Sequence, residues 1–128
     1  MRVLLDTCVF LWVISGASDL SSRACEVFQN PDNEVFLSSV SVWEIVVKHS
    51  LGRLPLPEPP GRFIQQMRVA HGIEPLPLDE DAVLYLHRLP RLHKDPFGRM
   101  IICQAIHGNM TILTPDRAIL QYPVATVW

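Results

Sequence analysis

The chain has 128 residues, 48% of them hydrophobic and 19% charged, a composition that excludes a disordered chain and suits one globular domain spanning 1–128 with its own core. Eleven Lys and Arg against 13 Asp and Glu leave a net charge of −2, which excludes a histone-like or tail-driven nucleic-acid binder but not a local basic patch. Three cysteines without a CxxC pair and five histidines without HExxH or HxH spacing exclude a disulfide framework and a thiolate zinc site, and no apolar run approaches the ~18 residues of a membrane span.

From the N-terminus, Val3-Leu4-Leu5 reads as a short buried strand ending at Asp6. An acid after only three apolar residues is no signal peptide, so the chain is expected in the cytoplasm. Cys8 to Ile14 is apolar nearly all round, which predicts a short buried helix stopping near Gly16. Ser18 or Asp19 is the expected cap of a second helix reaching about Gln29, and Asn30-Pro31-Asp32 is a turn. Val35-Phe36-Leu37 predicts a second strand. A serine-rich start at Ser38-Ser39 opens a helix with an apolar stripe of Val42, Ile45 and Val46.

Four of the eleven prolines fall within Pro55–Pro60, a stiff extended connection too short to be a domain linker. Helices are expected over Gly61–Ala70 and from Asp79 to about Arg88, with an edge-strand stretch at Ile73–Leu76 between them. Asp95 as N-cap and Pro96 at the first helical position open another helix, with Met100, Ile101 and Ala105 as its buried stripe and Gly108-Asn109 as its stop. Thr111-Ile112-Leu113 and Val124–Val127 complete the strands. Short apolar strands alternating with helices define an α/β domain with a mainly parallel sheet.

Ligands of such sheets bind beyond the carboxyl ends of the strands, where the strand order reverses. Asp6 follows the first strand, and Asp116 stands three residues after Leu113. Together with Glu44 and the Asp95–Gly98 segment they form an acidic set. Each member also has a structural role open to it. Asp6, Asp95 and Asp116 are good helix or turn caps, while Glu44 suits a capping box with Ser41 and an ion pair with Lys48. Acids gathered at one sheet end repel one another, and a hard divalent ion offsets that repulsion while lowering the pKa of a bound water. That chemistry serves phosphodiester cleavage.

The segments Leu4-Leu5-Asp6-Thr7-Cys8-Val9-Phe10-Leu11-Trp12, Ser39-Val40-Ser41-Val42-Trp43-Glu44-Ile45, His93-Lys94-Asp95-Pro96-Phe97 and Thr111-Ile112-Leu113-Thr114-Pro115-Asp116, with the ending Tyr122-Pro123-Val124, resemble the PIN-domain family. More narrowly, they resemble the VapC-type toxins of bacterial toxin–antitoxin pairs. The resemblance implies a three-layer α/β/α fold and an endoribonuclease dependent on Mg²⁺ or Mn²⁺. It also implies a homodimer silenced by a VapB-like antitoxin. Carried onto this chain, it makes Asp6 the central metal ligand, with Glu44 and Asp116 shaping the catalytic site. Thr7, Thr114 and Asp95 become groups that orient carboxylates or water.

One position departs from that family. Related toxins commonly read Asp-Pro-Phe-Asp at the start of the late helix, and here the second acid is replaced by Gly98. A glycine there gains nothing locally: it costs roughly 0.5–1 kcal/mol against Ala and forgoes a favourable charge in the first turn. The expectation is a chain that keeps the fold and the antitoxin surface but has weakened metal affinity and nuclease rate.

Between His87 and Arg99 lie Arg88, Arg91, His93 and Lys94 against a single acid, Asp95, and the family pattern assigns Lys94 and Arg99 to RNA. Val9, Phe10, Trp12, Val13, Phe63 and Met67 are either core or partner surface. A haloacid-dehalogenase-like phosphatase is a poor fit, because Cys8 stands where its second Asp belongs. A receiver domain lacks its late lysine. The remaining rival is a catalytically lapsed PIN-fold module that binds antitoxin or RNA without cutting.

Overall fold

A computed structural model describes residues 1–128. Five strands, β1 (Arg2–Leu5), β2 (Glu34–Ser38), β3 (Glu74–Leu76), β4 (Thr111–Leu113) and β5 (Thr126–Val127), form one sheet in the order β3-β2-β1-β4-β5, with every pair parallel. The helices are α1 (Thr7–Ser15), α2 (Ser22–Gln29), α3 (Ser39–Ser50), α4 (Pro60–His71), α5 (Glu80–Tyr85), α6 (Pro96–His107) and α7 (Arg117–Leu120). No helix is long and apolar enough to cross a membrane.

The strand registers explain the layers. Leu4 lies level with Phe36 and Ile112, and all three face one side, against Ile101, Ile102 and Ala105 of α6 and Ile119 of α7. Val3 and Leu5 point the other way with Val35, Leu37 and Leu113, onto Val9 and Phe10 of α1, Val27 of α2, Ile45 of α3 and Ile64 of α4. Both faces of the sheet are therefore apolar, and the three-layer α/β/α arrangement follows. The chain adds β2 and β3 on one side of β1, then crosses back to add β4 and β5 on the other. The strand order thus reverses between β1 and β4, the two strands that end at Asp6 and run on to Asp116.

Local signals account for most boundaries. Gly16 closes α1 at φ 67°, a left-handed conformation open to glycine at little cost. Asp95 caps α6 by accepting the N–H of Phe97 at 3.0 Å, with Pro96 at the first helical position. Asp79 caps α5 through the N–H of Ala82.

Several local expectations are corrected. Ser21, not Ser18 or Asp19, caps α2, because its hydroxyl is the one that reaches the N–H of Ala24, at 3.0 Å. There is no Ser41–Glu44 capping box: Ser38 caps α3, leaving Ser41 fully buried inside the first turn. Val46, placed on the buried stripe of α3, is exposed, and Met100 is only half-buried. In α1 only Thr7, Val9 and Phe10 are buried, and the turn after them lies half-open. The helix after Asp79 ends at Tyr85 and tightens into a 3₁₀ turn over Leu86–Arg88.

Candidate active site

The reversal point brings Asp6 and Asp116 together. Asp6 is the N-cap of α1. Its Oδ1 accepts the N–H of Thr7 at 2.8 Å, and its Oδ2 accepts the Thr114 hydroxyl at 2.7 Å. That same hydroxyl accepts the N–H of Asp116 at 3.0 Å, so one fully buried threonine ties both acids to the end of β4. The Asp116 carboxylate caps α7 through the N–H of Ala118 at 2.9 Å. Burial holds the Asp6 carboxyl above the ordinary carboxylate range, and the nearby Asp116 charge adds to this. The bonds from Thr114 and Thr7 pull the other way without cancelling it. Burial, and then the Asp6 charge, push the adjacent Cys8 thiol up to about 12.

Thr7 is placed differently from what the resemblance implied. Its backbone N–H reaches Asp6, but its hydroxyl turns inward and donates to Ser41 at 2.9 Å, tying α1 to α3. Glu44 lies one turn beyond Ser41 on α3. It is nearly buried, and it accepts a hydrogen bond from Lys48 within its own helix. Trp43, beside it, meets Phe97 of α6 edge to face at 4.8 Å between centroids. These contacts link the four positions of the acidic set through neighbouring elements, but only Asp6 and Asp116 act directly on one another.

Gly98 is buried in the first turn of α6. A side-chain Cβ there would lie 2.9 Å from Asp95 Oδ2 and 3.3 Å from His93 Nε2. The Asp95 contact is with the end of an exposed side chain that can swing away. The His93 nitrogen is buried and has no partner. The Tyr122 hydroxyl receives the N–H groups of Leu92 (3.2 Å) and His93 (3.1 Å) and the Arg99 Nη1 (3.1 Å), and it lies 2.7 Å from His93 Nδ1, which holds the ring with Nε2 towards position 98.

Lys94 is exposed, whereas the Arg99 guanidinium is committed to the Pro90 carbonyl at 2.8 Å and to Tyr122. Both line a cleft of about 880 Å³ with His87, Arg91 and His93, over five Leu and Val side chains. Val9 and Phe10 are wholly core and form no partner surface. The Tyr122 clip was not legible beforehand as a structural hub, since its partners lie 23 to 30 residues away and no local pattern announces them.

No three of the chain's His, Cys, Asp and Glu side chains converge closely enough to enclose a metal ion. Asp6 and Asp116 do fit a hydrated hard cation, because such ions settle for one or two carboxylates and fill the remaining positions with water and substrate oxygens. Glu44 is engaged by Lys48, and position 98 supplies no oxygen.

The PIN domain family model matches residues 3–125. A stretch of 63 residues is 33% identical to Ribonuclease VapC16 of Mycobacterium tuberculosis, covering 49% of this chain and 45% of that protein, so the chain spans less than half the length of this curated relative. Among solved structures, VapBC2 from Rickettsia felis bound to a DNA fragment from their promoter superposes with a TM-score of 0.74 at 16% identity, over 99% of this chain and 98% of that one. DNA-bound VapBC from Salmonella typhimurium gives 0.72 at 16% identity over 99% and 97%, and FitAcB from Neisseria gonorrhoeae gives 0.64 at 18% over 98% and 96%. At these identities the structures speak for the fold alone, while the family match runs through both strand ends that carry Asp6 and Asp116. The chain belongs to the PIN-domain family.

Proposed function

We propose that this chain is a VapC-type toxin of a toxin–antitoxin pair, a cytoplasmic endoribonuclease that uses Mg²⁺ or Mn²⁺ and is weakened by Gly98. The observation that carries the reading is the meeting of Asp6 and Asp116 at the reversal point of a parallel sheet, held by one shared threonine. In this reading the two carboxylates hold the ion, Thr114 orients that of Asp6 while the N–H of Ala118 orients that of Asp116, and Glu44 borders the site with its charge balanced by Lys48. The ion's contribution is a bound water of lowered pKa and neutralisation of the charge developing on the phosphoryl group. Lys94 meets the phosphate backbone from the cationic cleft, while Arg99 shapes the cleft wall. A VapB-like antitoxin and a second copy of the chain are the proposed protein partners, as the resemblance implies.

Gly98 favours a second reading: a module that has kept the fold but binds antitoxin or RNA without cutting. An RNA-cleavage assay of the present chain, Gly98→Asp and Asp6→Asn with Mg²⁺, Mn²⁺ or EDTA separates the two. Metal-dependent cutting by Gly98→Asp, with a feeble parent and a silent Asp6→Asn, supports the weakened toxin. If Gly98→Asp is as inert as Asp6→Asn, the binding module is the better account.

A further inference from the structure

We propose that the cleft between α5 and the loop leading into α6 is a docking site for an acidic, leucine-bearing peptide segment of a protein partner. The proposal goes beyond the ribonuclease reading and does not depend on it. Val83, Leu84 and Leu92 line the cleft at 39%, 63% and 46% exposure, above the half-buried Leu86 and the buried Leu89. Large aliphatic side chains gathered in one concave site gain free energy when a partner's apolar groups cover them.

Charge selects the partner. Arg91 and Lys94 are exposed in the same cleft, and no acid lines it. The chain's ion pairs join Lys48 to Glu44, Arg62 to Glu58 and His107 to Asp79, so neither cleft cation is neutralised from within the chain. A two-fold axis through the cleft would set cations against cations, and such a surface is not self-complementary. Single-stranded RNA suits the cations but not the floor. No Phe, Tyr or Trp lines the cleft for a base to stack on, and the aliphatic side chains would face a polar strand. Carboxylates for Arg91 and Lys94, interspersed with Leu for the aliphatic floor, match both features.

The loop wall is set before a peptide arrives. The Tyr122 hydroxyl holds the N–H groups of Leu92 and His93, and Arg99 joins that hydroxyl to the Pro90 carbonyl. Little ordering cost therefore falls on the chain when the cleft is filled. A seated peptide would also cover Lys94, the residue that the ribonuclease reading gives to RNA.

The test is fluorescence anisotropy in EDTA with a labelled peptide of about 12 residues, a length matched to the span of a short helix, with Leu at helical spacing and Glu elsewhere. In two control peptides Gln replaces every Glu, or Ser replaces every Leu. The parent is expected to bind the Glu–Leu peptide and neither control. Leu84→Ser should weaken binding about 10-fold or more, and Arg91→Ala about 2- to 5-fold. Raised NaCl should erase the Arg91 effect and leave that of Leu84. Both side chains are exposed, so neither substitution disturbs the core.

A monomeric parent that does not bind the peptide overturns the proposal. Binding that ignores Leu84→Ser and the Ser control but falls with Arg91→Ala also overturns it, because the cleft is then a general polyanion surface. Labelled single-stranded RNA bound with that same dependence would identify RNA as the polyanion. A parent that sediments as a dimer, becomes monomeric as Leu84→Ser and binds no peptide makes the cleft an interface between copies, which overturns the proposal too. None of these measurements uses RNA cleavage, so the ribonuclease reading stands or falls separately, on Gly98→Asp.

Discussion

At Thr114 a single hydroxyl serves two masters, donating to Asp6 and accepting from the N–H of Asp116. Its bond to Asp6 favours the ionised carboxylate, opposing the burial that favours the neutral acid. Thr114→Val keeps the shape and removes that bond, so the Asp6 carboxyl rises further and the metal-binding form requires higher pH. In the Gly98→Asp background, the acid limb of the pH–activity profile is expected to move to higher pH, with the plateau less affected. A second residue-scale prediction concerns Cys8. With its thiol near 12, the reactive thiolate is on the order of 10⁻⁴ of the population at pH 8. Cys103 is fully buried, which leaves Cys25 as the expected first site of iodoacetamide labelling in the folded chain, read by peptide mass mapping. Early labelling of Cys8 would contradict its described surroundings.

Among the elements, the loop before α6 depends on a residue far along the chain. Tyr122 is nearly buried after α7, and its hydroxyl collects two backbone N–H groups and the Arg99 side chain. Tyr122→Phe leaves those backbone donors unpaired, and a loss of about 2–4 kcal/mol in urea unfolding is expected. A variant within 0.5 kcal/mol of the parent, an order-of-magnitude threshold for surface changes, would show that water replaces the hydroxyl freely. This clip illustrates what the sequence can carry. The Asp95-Pro96 start of α6, Gly16 at the end of α1 and the three-residue apolar strands were legible because each signal is local. The burial of Ser41 was not, since S-x-x-E spacing is equally a capping box until Ser38 is seen to take the cap. The acids at the ends of β1 and β4 were legible as candidates from their position after apolar runs. Their meeting required the strand order, which no local pattern encodes, whereas the pairing of Glu44 with Lys48 was legible from its i,i+4 spacing.

Across the whole molecule, the acidic site is a cost carried by the fold. The folded chain holds the Asp6 carboxyl above its ordinary value of 3.8, so above that pH the folded state retains a proton that the unfolded state has released. Stability therefore falls as pH rises through the window between the unfolded and folded values, and the loss is complete above the folded one. Asp6→Asn removes this liability. Without metal, the variant is expected to melt above the parent at pH 7, and the difference should shrink as pH is lowered below 3.8, where Asp6 is neutral in both states. Mn²⁺ should act in the opposite sense on the pair, because an ion bound only to the folded state raises the midpoint of the chain that has the carboxylate. At ten times its dissociation constant the gain is about 1.4 kcal/mol, or roughly 4–6 °C for a chain of this size, and Asp6→Asn should show none of it. Differential scanning fluorimetry at pH 3.5 and 7, with EDTA or Mn²⁺, reads all four conditions. A parent whose midpoint is indifferent to both pH and Mn²⁺ relative to Asp6→Asn would mean that the two carboxylates impose no such cost and hold no ion.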